Sequence, residues 1–191
     1  MGLSLVGIDC DLGEASVQIA SDSYSIGELA TRRLIDDGCS RILCLRNNSR
    51  MRMPANKRTD AYHDVVEQAG LPALVREVEF VKSDDEKSAV VAKILDENPD
   101  IDGIFAGDDT MAAICLNVMK QRGLSAPDDI KVVGADGARR TMTFMPDLTT
   151  VRQDIDRIGE LAAQSIIALV NGEKPESNTK LPVELIEGKT A

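Results

Sequence analysis

A repeated alternation constrains this chain most: a short apolar run, then a segment with apolar residues at helical spacing. The runs "SLVGID" (4–9), "RILCL" (41–45), "LVREVEF" (74–80), "IDGIFAG" (101–107) and "IKVVGAD" (130–136) are short and rich in branched apolar residues. They read as buried strands. Between them, segments 25–38, 57–70, 84–99 and 109–123 carry the helical pattern. Gly38, Gly70 and Gly123 supply C-terminal stops. A longer helix is predicted at 155–172, ending at Gly172, and a closing strand at 181–188. Segment 16–22 reads as another extended piece, and 137–150 as irregular. Strands alternating with helices at this spacing predict a doubly wound α/β fold around a parallel sheet. In such sheets ligands bind beyond the carboxyl ends of the strands. Here those ends are "LRNNS", "VKSDD", "AGDD" and "GADG", all polar and three of them acidic.

Composition narrows the function classes. Apolar residues make up 43% of 191, enough for a sizeable core. No apolar run approaches the roughly 18 residues of a membrane span, and the N-terminus lacks the basic start of a signal peptide. A net charge of −10 argues against a free-standing DNA binder or an anionic membrane surface as partner. Cys10, Cys39, Cys44 and Cys115 form no CxxC pair, which fits free thiols in a reducing cytoplasm. Aromatic content is low, whereas sugar sites usually want an aromatic face.

The candidate chemistry lies at the strand ends. In "GIFAGDDTMAAICL" (103–116), adjacent carboxylates can hold a metal, act as acid and base, grip hydroxyls or cap a helix. Asp109 is expected to cap the helix that follows. Asp108 is then free to face the cleft or stand as a solvated loop acid. Asp136 ends "VVGAD", where a carboxylate can accept hydroxyl hydrogen bonds, or it is simply part of a turn-forming Asp-Gly pair. Arg58 opens a helix against the helix dipole, which invites a reason. The loop bearing Arg46, Arg50, Arg52, Lys57 and Arg58 is either an anion site or an exposed basic face. No GxSxG, phosphate-cradling glycine loop or EF-hand loop is present, and there is a single histidine, His63. No enzyme is predicted, and no cofactor.

The second half, "IFAGDDTMAAICLNVMKQRGLSAPDDIKVVGADG…PDLTTVRQDIDRIGELAAQSIIALVNGEKP…LPVELI", resembles the effector-binding domain of the LacI/GalR (lactose-repressor/galactose-repressor) family of bacterial transcription regulators. "SDSYSIGELATRRLIDDGCSRILCL" and "KRTDAYHDVVEQAGL" extend the resemblance over almost the whole chain. It implies a type I periplasmic-binding-protein-like fold, two α/β lobes with a small effector between them. On this reading residues 1–191 are a truncated effector (sugar)-binding domain. About 10–153 plus 180–191 form the C-terminal lobe, and 154–172 form a crossover helix of the N-terminal lobe. The family's helix-turn-helix has no counterpart in the sequence.

The resemblance assigns ligand contacts to Arg58, Asp108, Asp136 and Gln153, with Asp109 as the cap. Asp108 stands where relatives often carry Asn, and Ala61 where they often carry Gly. The expected function is binding of a sugar or related polyol that controls, allosterically, operator binding by the full-length protein. That protein is expected to be a cytoplasmic homodimer that contacts DNA only through a further N-terminal domain. A transport-associated sugar-binding protein of the same fold is the alternative. The helix at 155–171 carries Ile155, Ile158, Ala162, Ile166 and Leu169 along one face, broadened by Leu161 and Ile167, which predicts self-association.

Overall fold

The computed structural model describes residues 5–10, 12–13, 16–48, 56–79 and 81–191. Two sheets organise it. The larger has six strands: β3 (Ile42–Asn48), β4 (Leu74–Glu79), β5 (Gly103–Ala106), β6 (Lys131–Asp136), β7 (Thr149–Gln153) and β9 (Val183–Ile186). Their spatial order is β4-β3-β5-β6-β7-β9. All neighbours are parallel except β9, which runs antiparallel to β7. The sheet is therefore mixed at one edge rather than wholly parallel.

The central strands carry apolar residues on both faces along their buried stretches because both faces are covered. Leu43, Leu45, Ile104 and Val132 point to one side, packing on Val91, Ile94 and Leu95 of α3 (Asp84–Glu97) and Met111, Cys115 and Met119 of α4 (Asp109–Gln121). Ile42, Cys44, Phe105, Val133 and Val151 point to the other. There they meet Ile26, Ala30 and Leu34 of α1 (Ser23–Asp36) and Tyr62 and Val66 of α2 (Asn56–Gln68). Alternate residues of one strand thus serve different cores, as the two-residue period of a strand requires.

The smaller sheet is parallel, in the order β1-β2-β8, from β1 (Leu5–Ile8), β2 (Ser16–Ser21) and β8 (Asn178–Leu181). The helix α6 (Ile155–Val170) packs on it through Ile158, Leu161, Ala162 and Leu169, against Val6, Val17, Ile19 and Leu181. Ile155, Ile166, Ile167 and Val170 of the same helix remain exposed.

Two sequence readings change here. The predicted strand 181–188 is two strands: β8 pairs with β2, and β9 pairs with β7. Pro182 lies between them and has no N–H for a ladder, so the chain changes sheets there. The stretch 137–150, expected to be irregular, contains α5 (Arg139–Phe144) and the start of β7. The small sheet takes in β2 at 16–21. The thiols of Cys10, Cys39, Cys44 and Cys115 are all free. Among the described residues, no helix is long and apolar enough to cross a membrane.

Candidate effector-binding site

Strands β3, β5, β6 and β7 are consecutive neighbours, so their carboxyl ends form one row. Adjacent strands lie about 4.8 Å apart, which brings Asn47, Asp108, Asp136 and Gln153 to a common edge. Arg58 reaches the same edge from the first turn of α2. Its approach depends on Gly27 of α1, where a Cβ would overlap the Arg58 backbone carbonyl. The two helices therefore pack closely enough to drive the guanidinium over the strand ends.

Asp136 is the centre of the arrangement. Its Oδ1 accepts from Arg58 Nη2 at 2.9 Å and from Gln153 Nε2 at 2.6 Å. Its φ of 104° lies in the left-handed region, which costs a non-glycine residue roughly 1–3 kcal/mol. Gly137 follows at φ 58°. The strain turns the chain sharply off β6 and leaves the carboxylate at the cleft. Arg58 is only 9% exposed, and its Nη1 also donates to the Gly107 carbonyl at 2.6 Å. One guanidinium thus ties the β5 tip to the β6 tip.

The cap expected of Asp109 falls to its neighbour. Asp108, not Asp109, is the N-cap of α4: it has extended backbone, and its Oδ1 accepts the Met111 N–H at 2.7 Å. Its Oδ2 accepts from Asn47 Nδ2. Asp109 is the first helical residue and is 2% exposed. Its Oδ1 accepts from Thr150 Oγ1 at 2.6 Å, and its Oδ2 from the Gly137 N–H at 2.8 Å. The reason is helix periodicity. Residues 111, 112, 115, 118 and 119 set the buried face, and position 109 falls under β6 rather than beside the helix axis. Gly134 makes room there, since a Cβ would stand 2.5 Å from Asp109 Oδ1. Burial pushes the Asp109 carboxyl up to about 6; the Thr150 hydroxyl opposes the rise, the charge of Asp136 adds to it, and the Gly137 and Ala138 amides oppose it.

The basic loop is dispersed. Arg46 pairs with Glu77 of β4, and Lys57 with Asp60 one turn along its helix. Arg50 and Arg52 lie outside the described residues. Among the described residues, no group of three or more His, Cys, Asp or Glu is placed to hold a metal ion. A groove of about 770 Å³ adjoins the row, lined by Gly137, Met142, Arg152, Gln153, Ile155 and Pro182 among others. It touches the site through Gln153 and Gly137, whereas Arg58, Asp108 and Asp136 do not line it. Sequence reasoning overlooked Asn47 and Thr150. The polar end of "LRNNS" was a signal for the first, but Thr150 gave none.

The family model for the periplasmic binding protein-like domain matches residues 31–191. The ribose operon repressor of Halalkalibacterium halodurans is 30% identical, aligned over 100% of this chain and 57% of its own length. The sucrose operon repressor of Pediococcus pentosaceus is 31% identical over 100% of this chain and 59% of its length. The chain therefore spans a little over half of these relatives. The transcriptional regulator CelR in complex with cellobiose superposes with a TM-score of 0.84 at 26% identity, covering 97% of this chain and 58% of that one. By the extent of the match, the chain belongs to the periplasmic binding protein-like domain family, and it is similar to the effector-domain part of LacI/GalR-type transcriptional regulators.

Proposed function

We propose that this chain binds a neutral sugar or related polyol at the strand-end row, and that in the whole protein this binding controls operator affinity. The observation that carries the reading is Asp136. A strained carboxylate, gripped on one oxygen by both Arg58 and Gln153, keeps lone pairs for ligand hydroxyls. Arg58 and Gln153 supply donors, and Asp108, anchored by its cap bond, adds an acceptor edge. Charge-assisted hydrogen bonds of this kind orient a polyol well. The relatives named for ribose and sucrose operons, and the cellobiose complex of a related regulator, support a saccharide ligand.

Regulation would follow by linkage. A ligand that contacts both lobes shifts their relative orientation by as much as its affinity differs between the two states. Operator contact belongs to a DNA-binding domain outside this sequence, and the working unit is a homodimer. The exposed side of α6, with Ile155, Ile166, Ile167 and Val170, is the apolar face available for association.

The test is calorimetric titration of the full chain with D-ribose, sucrose and cellobiose, repeated on Asp136→Ala and Arg58→Ala. Each variant removes charged hydrogen-bonding groups and is expected to weaken binding by about tenfold to a hundredfold. If no sugar binds, or if both variants bind as the wild type does, the assignment fails.

A further inference from the structure

Among the described residues, two buried polar atoms beside the strand-end row have no hydrogen-bond partner: the Asn47 carboxamide oxygen and Arg58 Nε. Both belong to side chains whose other polar atoms are committed. Arg58 spends Nη1 on the Gly107 carbonyl and Nη2 on Asp136. Asn47 spends Nδ2 on Asp108. Both side chains are thus bonded to the Gly107–Asp108 tip of β5.

The orientation of Asn47 is not arbitrary. Asp108 is held by its cap bond to Met111 and, when ionised, can only accept. The amide nitrogen must therefore face it, which turns the amide oxygen away as an acceptor. Asp108 in this way fixes the sense of its neighbour. A buried acceptor without a donor is a standing cost that native structures offset with water or ligand.

We propose that Asn47 is a further ligand-recognition residue, its carboxamide oxygen accepting a hydrogen bond from a ligand hydroxyl. The inference rests on the sugar-binding reading above and sharpens its specificity. A ligand hydroxyl can donate to Asn47 Oδ1; a carboxylate or a fully ionised phosphate has no proton to donate. The β3–β5 end of the row therefore selects a neutral hydroxyl.

The test uses the full chain and the best binder among D-ribose, sucrose and cellobiose, together with its single-deoxy analogues. Affinities are measured for the wild type, Asn47→Leu and Asn47→Ala, with circular dichroism confirming that each variant is folded. In the wild type one analogue should bind about tenfold more weakly than the parent. In both variants that gap should close while the other gaps persist. If every gap persists, Oδ1 is occupied by water only and the proposal is overturned. It is also overturned if folded variants lose binding altogether, which loss of one hydroxyl contact cannot produce. If none of the three sugars binds the wild type, the sugar-binding reading fails and this inference fails with it.

Discussion

Replacing Asp109 by Asn should stabilise the protein in a pH-dependent way. The carboxyl is 2% exposed and raised from 3.8 to about 6, chiefly by burial. At about 1.4 kcal/mol per unit, the ionised form costs about 3 kcal/mol relative to the protonated form. Between these two values the folded state binds more protons than the unfolded state, so this residue's contribution to stability falls as pH rises. It is fully lost above about 6. The amide fits the same site: its oxygen can take the Gly137 N–H, and its nitrogen can donate to Thr150 Oγ1 once that hydroxyl rotates. Any geometric loss is a constant offset, whereas the titration is not. Urea denaturation of both proteins from about pH 4 to about pH 7.5 should show Asp109→Asn gaining on the wild type by about 3 kcal/mol across the range. In an Asp136→Asn background the rise should be smaller and should level off at lower pH, because a neighbouring negative charge that raises the folded-state value is gone. A difference between the two proteins that stays flat from about pH 4 to about pH 7.5 would refute the reasoning.

Two further expectations follow from the packing. Tyr62 is fully buried, and its hydroxyl donates to the Ile42 carbonyl at 2.7 Å and accepts the Leu74 N–H at 2.8 Å. Tyr62→Phe orphans both groups and should cost about 1–3 kcal/mol in chemical denaturation; an unchanged midpoint would mean that water replaces the hydroxyl. On α6, Ile167 is 60% exposed and Val170 79% exposed. The chain should self-associate with rising concentration in sedimentation velocity, and Ile167→Glu with Val170→Glu should abolish this; a wild type that stays monomeric would remove α6 as the interface.

The sheet and its helices were legible in the sequence because apolar periodicity is a local property. "RILCL" and "IKVVGAD" are apolar on alternate and intervening positions alike, which only a strand covered on both faces tolerates. The sheet change at Pro182 was not legible. A missing N–H says that a ladder must break, but not that the strands on either side join different sheets. Arg58, Asp108, Asp136 and Gln153 were placed together by resemblance, and the strand order accounts for their proximity.

The sequence by itself determined that acids would stand at the ends of β5 and β6, since the strands stop there and polar residues follow. Only the tertiary structure decided what each acid does. Asp108 and Asp109 are both good N-cap residues by type. Their roles separated when α4 docked under β6, which buried Asp109 against Thr150 and Gly137 and left Asp108 to cap the helix and orient Asn47. Those partners lie 28 to 61 residues away in the chain. A local pattern carries no trace of contacts made over such separations, because they exist only once the sheet has brought its strand ends into one row.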